Sequence, residues 1–414
     1  MRRSKSLIKE VLLVLFVATL GVGLLSGGVF LSQAFSRNAG NQTPVEALVN
    51  ISTPTPTPEP DIPALRHYPT ARDDKDLPEP EKDFLPPSRP APPPDGPGIV
   101  TTLTISAAGD VTLGGDARWP GYHAFMRVFE ANNRDFSYFL RYTRSIFEAS
   151  DLSIVNLEGT LTYATEHMDL PFVFRAPPSF ARILTYGAVD VVTVANNHTP
   201  DFFEVGYQDT LAALRAEGIA YFGNDMNTIL EVNGIQVGLF GFLMWNDSPQ
   251  HRADIVNAIT DLRQRGAQLI IAYHHWGIMQ HNMAADYQRD LGRFTLDSGA
   301  DLVLGSHPHV IQGIERHDGR FIVHSLADFC YGGHSHPPDQ DAFIFQQTFT
   351  FIDGVLMQTE DITIIPVMMS STRAYNNFQP VPADAGDARR IMERLQTYSG
   401  WLGSTLYEWM FWIP

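Results

Sequence analysis

An α/β fold is predicted for the part of this 414-residue chain that follows Gly98, and three observations carry the prediction. Short apolar runs alternate with amphipathic ones from Ile99 onward. Clusters of His, Asp, Glu and Asn recur at the ends of those runs. The composition also changes abruptly near Gly98, from proline-rich to globular.

The first element is an apolar stretch, Val11–Leu31, preceded by Arg2, Arg3, Lys5 and Lys9. About 20 apolar residues span a bilayer as a helix. The cationic flank is expected to stay in the cytoplasm, which puts the rest of the chain outside. Residues 1–37 are therefore read as a retained, single-pass signal anchor. A long cleaved signal gives the same side of the membrane. Residues 38–98 follow, with the Thr-Pro repeat of Thr53–Pro58, Pro86–Pro87 and Pro92–Pro94. Such a segment has little to bury, and proline favours extended polyproline II, so it reads as a stalk. Residues 99–414 form the globular domain, long enough for a sizeable core.

Within that domain the predicted strands are Leu103–Ala107, Leu152–Val155, Val189–Val194, Ile235–Phe242, Leu269–Tyr273, Leu302–Leu304 and Phe321–His324. Predicted helices are Phe136–Ala149, Phe180–Tyr186, Gly206–Glu217, Arg252–Arg265 and Tyr287–Ser298. The runs Phe343–Ile352 and Ile362–Val367 leave no room for a helix between them and imply an antiparallel portion in a mixed sheet system. A last helix is expected near Asp384–Thr397. Beyond it, Trp401, Trp409, Phe411 and Trp412 are read as packing back on the domain, with a partner or bilayer contact as the alternative.

Composition narrows the chemistry. The formal charge of -17 argues against nucleic acid as a partner. The single cysteine, Cys330, rules out an intramolecular disulfide and a Cys-rich zinc module. A metal would be held by imidazole, carboxylate and amide groups.

Those groups sit where the predicted strands end. They are Gly109-Asp110, Asn156-Leu157-Glu158-Gly159, Asn196-Asn197-His198, His274-His275-Trp276-Gly277 and Gly305-Ser306-His307-Pro308-His309. In open α/β sheets the carboxyl edge of the strands is where ligands bind. Singly, each cluster has an ordinary reading: Asp110 as a cap, Asn197-His198 as a loop pair, Gly109 and Gly305 as turn residues. Five clusters at five strand ends point instead to one site. Mixed nitrogen and oxygen donors suit Mn, Fe, Zn or Co better than Ca or Mg. There are enough donors for two divalent transition-metal ions, and a carboxylate could bridge them. A nearby histidine could protonate a leaving group. His198, Asp201 and His275 are the candidate catalytic residues.

The motifs Ala108-Gly109-Asp110-Val111, Val155-Asn156-Leu157-Glu158-Gly159, Ala195-Asn196-Asn197-His198 with Asp201, and His275-Trp276-Gly277 occur in this order. They continue in Gly299-Ala300-Asp301, the run Gly305–Glu315, Ser325-Leu326, Phe329 and Ile365-Pro366-Val367. Together they resemble the CapA family, named for capsule and poly-γ-glutamate synthesis, whose domain is similar to the calcineurin-like metallophosphoesterases. The resemblance covers roughly Leu103 to Thr405. It implies a four-layer α/β/β/α sandwich and metal-ligand roles for Asp110, Glu158, Asn197, His198, His275, His307 and His309. Three positions depart from the usual pattern. Met279 stands where the family has Glu, Asp328 where it has Asn, and Phe203 where it has Gly. Asp328, His274, His281, His334 and His336 are the groups that could compensate for the lost carboxylate.

Two functions are expected to compete. One is a membrane-anchored, extracytoplasmic protein of capsule or poly-γ-glutamate synthesis and export with a metal-dependent hydrolase site. Its partner would be an anionic cell-surface polymer or a small phosphoester. The other is a non-catalytic, polymer-binding or scaffold subunit of a membrane synthase complex, and an extracytoplasmic metallophosphoesterase is a further alternative.

Overall fold

The computed structural model describes residues 98–116, 118, 120–357 and 361–412. The anchor expected over 1–37, and the stalk expected over 38–98 except Gly98, lie outside the described residues. Among the described residues no helix is long and apolar enough to cross a membrane.

The α/β expectation is met by two large mixed sheets. In the first, Val100–Thr112 is the central strand. It runs parallel to Leu152–Leu157, which is followed outward by parallel Val191–Thr193 and Ala220–Phe222. On its other side it is antiparallel to Asp341–Ile352, which pairs antiparallel with Asp361–Met368. The antiparallel portion thus lies where the missing helix spacer placed it. In the second sheet Ile235–Phe240, Leu269–Trp276, Leu302–Ser306 and Arg320–Val323 are parallel neighbours.

Alternation along the strands divides the cores. Leu269, Ile271 and Tyr273 join a core that also contains Leu103 and Ile105 of the first sheet. Ile270 and Ala272 point the other way, onto Ile255, Ile259 and Leu262 of helix Pro249–Gln264 and Leu291 and Leu296 of helix Asp286–Asp297. A parallel strand buried on both faces is apolar throughout, as the Leu269–Tyr273 run is. Each buried Leu or Ile contributes about 1.5–3 kcal/mol. The Tyr273 hydroxyl, fully buried, donates to the Ala108 carbonyl at 2.8 Å and ties one sheet to the other beside the site.

Local chemistry sets the helix ends. Ser248 accepts from the His251 amide at 3.1 Å, and Pro249 takes the first helical position. Asp384 caps the helix Ala385–Trp401 by accepting from the Gly386 and Asp387 amides. That helix is pinned to the first sheet by Arg390 and Arg394, both on the buried carboxylate of Asp341.

The structure corrects three sequence expectations. The helix expected over Phe136–Ala149 breaks into a short turn, Phe136–Tyr138, and a helix Arg144–Glu148. Asp135 caps the first piece, and Phe139 and Leu140 between the two are buried in the core. A helix Pro120–Ala131 was not expected. Of the C-terminal aromatics only Phe411 packs inward. Trp401, Trp409 and Trp412 are 50%, 70% and 45% exposed.

Candidate metal centre

The site is built at the carboxyl ends of strands from both sheets. Asp110 lies inside Val100–Thr112 rather than beyond it, just past a register shift between Ala107 and Asp110. Gly109 is therefore not a turn residue. A β-carbon there would sit 1.8 Å from the Ala327 carbonyl oxygen, so glycine is what allows Ala327 to approach. That carbonyl accepts from the Asp110 amide at 2.9 Å, and Asp110 and Asp328 become strand partners. Both side chains are buried.

Glu158 follows Leu152–Leu157, fixed by its amide bond to the Val111 carbonyl at 3.0 Å. Its side chain is fully buried, and neither carboxylate oxygen has a hydrogen-bond partner. Three imidazoles face Oε1: His275 Nε2 at 3.6 Å, His198 Nε2 at 3.9 Å and His309 Nε2 at 3.9 Å. A buried, unbonded carboxylate is costly on its own. Burial, with the Asp110 charge added, pushes the Glu158 carboxyl well above the usual carboxylate range.

Two groups of donor atoms close enough to share an ion emerge from this arrangement. One is Asp110, Glu158 and His309; the other is Glu158, His275 and His307. Glu158 belongs to both, the position a bridging carboxylate needs. Asn197 joins the second group, its Oδ1 lying 2.7 Å from His275 Nε2. His307 Nδ1 lies 3.1 Å from the same nitrogen. The orphaned Glu158 oxygens and this donor set fit a divalent metal. Without one, burial and neighbouring imidazoles hold His275 well below the ordinary histidine value and His307 at about 3. Burial also opposes charge on His309, but Asp328 and Glu158 outweigh it and raise its pKa well above the usual value.

His198 stands outside both groups. Its Nδ1 is 2.8 Å from Asp201 Oδ2, and Asp201 is fully buried. The Phe174 ring covers the imidazole at 4.2 Å between centroids, and the Phe174 amide donates to Asp201. Burial raises the Asp201 carboxyl, opposed by its bond to His198.

The sequence-derived set thus converges. Asp110, Glu158, Asn197, His275, His307 and His309 meet at one place, with the His198–Asp201 pair at its edge. The further residues scatter. His274 points into the opposite core beside Phe240 and Trp276. His334 and His336 sit exposed on the loop after Tyr331, and Met279 is exposed on the loop after Trp276. His281, also exposed, lends its carbonyl to Gln312. Of these, only Asp328 reaches the site, through His309 at 2.7 Å.

Sequence reasoning missed several supporting residues. Asn156, fully buried, donates to Asp110 Oδ1 at 2.7 Å and lies 3.3 Å from His275 Nδ1. Its Oδ1 accepts from Asn196, whose own Oδ1 accepts from the His198 amide. Ser306 Oγ contacts His275 Nδ1 at 3.0 Å. Trp245, half exposed, meets His307 edge-on at 4.7 Å, and Tyr331 lies 4.9 Å from His309. Asn156 and Ser306 lie inside the strand-end motifs Asn156-Leu157-Glu158-Gly159 and Gly305-Ser306-His307-Pro308-His309, which was the available signal.

Comparison with known proteins gives a consistent picture. A family model described as "Bacterial capsule synthesis protein PGA_cap" matches residues 104–332, a span that contains every donor above. The PGA biosynthesis protein CapA of Bacillus subtilis (strain 168) is 26% identical over 235 residues, 51% of this chain and 59% of that protein. The capsule biosynthesis protein CapA of Bacillus anthracis is 24% identical over 240 residues, 51% of this chain and 56% of its own. A probable polyglutamine synthesis accessory protein of Mycobacterium tuberculosis (strain CDC 1551 / Oshkosh) is 26% identical over 197 residues, covering 40% and 52%. The chain spans a little over half the length of these curated relatives.

Proposed function

The chain belongs to the bacterial capsule synthesis protein family PGA_cap, and from that premise we propose that it serves capsule or poly-γ-glutamate synthesis through a metal-dependent hydrolase site. The names of the Bacillus relatives support the biological role. Two sheets sharing one core, with helices on the outer face of the second, support the four-layer, metallophosphoesterase-like reading of residues 99–414. The apolar stretch Val11–Leu31 and its cationic flank support an extracytoplasmic domain held to the cell membrane by a single span.

One observation carries the chemistry: the buried Glu158 carboxylate, unbonded and shared by two donor groups. Asp110, Glu158 and His309 would hold one ion; Glu158, Asn197, His275 and His307 would hold the other. When bound, such ions supply Lewis acidity and a water-derived nucleophile near neutral pH. The protein's own residues do the rest. Asp201 accepts from His198 Nδ1–H and fixes the ring, leaving Nε2 on the Glu158 side. A proton on that nitrogen is placed for a departing alkoxide or amine. Phe174 shields the pair from water on one face. The substrate would be a phosphoester, or an amide of an acidic polymer.

Elemental analysis of the purified chain tests the reading. We expect one to two equivalents of Mn, Fe, Zn or Co, and a protein free of all four would defeat it. Met279, exposed on the loop after Trp276 at a position where the family usually has a carboxylate, supports a second reading as a non-catalytic polymer-binding subunit. Metal-dependent turnover of poly-γ-glutamate or of a simple phosphodiester, lost in His198→Ala, would eliminate that alternative.

A further inference from the structure

We infer that Asp328 is a positioning residue for metal capture, holding His309 with Nδ1–H on its carboxylate and Nε2 turned to Glu158. The inference rests on the proposed metal site and concerns how one of its donors is prepared. His309 Nδ1 is 2.7 Å from Asp328 Oδ1 and 3.4 Å from Asp110 Oδ2. An ionised carboxylate only accepts, so the proton lies on Nδ1. In the neutral ring the lone pair is then on Nε2, 3.9 Å from Glu158 Oε1.

That separation is too long for a hydrogen bond. It matches two ligand atoms on one ion, each about 2.0–2.2 Å from it. A carboxylate behind a ligating histidine fixes its tautomer and raises its basicity. Of the three histidines in the two donor groups, His309 alone is backed in this way. His275 Nδ1 faces the Ser306 hydroxyl and the Asn156 amide, and His307 Nδ1 faces His275.

The fold holds the pair in place. Gly109 admits the Ala327 carbonyl against the central strand, and Ala327 adopts φ +63. Asp328 is thereby the strand partner of Asp110. His309 is itself left-handed at φ +55, with the Tyr331 ring 4.9 Å from its imidazole. Asp328 also adds a third carboxylate around one imidazole, which attracts a divalent cation more strongly than the neutral amide of an asparagine there would.

The test uses the full chain, stripped of metal and titrated calorimetrically with Mn²⁺ and separately with Zn²⁺. We expect Asp328→Asn, which keeps shape and an acceptor oxygen, to weaken binding roughly 10-fold, and Asp328→Ala to weaken it about 10–100-fold. In metal-free protein labelled with ¹⁵N-histidine and brought to a pH alkaline enough to leave the His309 ring neutral, His309 should carry its remaining proton on Nδ1, and Asp328→Ala should redistribute it toward Nε2. A purely structural Asp328 would lower thermal stability and leave affinity and tautomer unchanged. If the wild-type chain binds metal and both variants bind within twofold of it, the inference fails and the metal site stands. If the wild-type chain binds neither ion, both fall together.

Discussion

Glu158 Oε1 lies 3.6 Å from His275 Nε2, and neither oxygen of this buried carboxylate has a hydrogen-bond partner. A charge in that situation destabilises the empty protein and stabilises the loaded one. Because burial raises the Glu158 pKa, its cost is present at neutral pH, where the unfolded carboxyl is already ionised. Glu158→Gln should therefore raise the melting temperature of the metal-stripped protein and abolish the stabilisation that added Mn²⁺ gives to wild type. That stabilisation should be about 2.7 kcal/mol at 100 times Kd. A variant that still gains from metal would contradict the bridging role.

His198 and His309 should separate in mutagenesis. His198 lies outside both donor groups and is held by Asp201; His309 belongs to one of them. His198→Ala should keep its metal and lose turnover by about 10²–10⁴-fold. His309→Ala should lose metal as well. Equal metal loss in both, measured by elemental analysis, would make His198 a ligand instead.

His274 is an acid-stability liability away from the site. It is fully buried, its Nδ1 has no partner, and burial, with His251 adding, lowers its pKa to about 3. The unfolded chain binds a proton on this residue below about pH 6.5, and the folded chain does not until near pH 3. Stability is therefore lost as pH falls through that window, by at most about 1.4 kcal/mol per pH unit. His274→Phe, in a core already containing Phe240 and Trp276, should flatten the pH dependence of urea unfolding by up to one proton. An unchanged slope would show that His274 is not neutral there.

Phe203 adopts φ +53 at the start of helix Phe203–Ala216, and its side chain is half exposed. A left-handed non-glycine residue costs about 1–2 kcal/mol. Phe203→Gly should raise the melting temperature by about 1–3 °C, since glycine's own entropy offsets part of the relief. Metal affinity should not change. A lower melting temperature would mean that the ring contributes packing that outweighs the strain.

Much of the site was legible because its donors fall at strand ends, and parallel pairing gathers strand ends whatever their separation in sequence. His307-Pro308-His309 and Asn196-Asn197-His198 needed nothing more. The pair His274-His275 shows what periodicity adds. Neighbours in a strand face opposite ways, so only His275 reaches the site while His274 enters the helix-side core. What escaped was set by register. Asn156 supports Asp110 because a shift between Ala107 and Asp110 brings the two side by side, and no local signal marks that shift. Gly109 had only a turn as its ordinary reading, although its glycine is required by Ala327, distant in sequence. The broken helix at Phe136–Ala149 has the same origin. Its middle is amphipathic by pattern, yet burial of Phe139 and Leu140 takes precedence over helical continuity.

The most direct test is anomalous diffraction from crystals of the protein grown with Mn²⁺. We expect density beside Glu158 at one or both of two positions, one bounded by Asp110 and His309, the other by His275, His307 and Asn197. Clean maps at full Mn²⁺, with Glu158 still unbonded and no peak at either position, would contradict the metal centre outright.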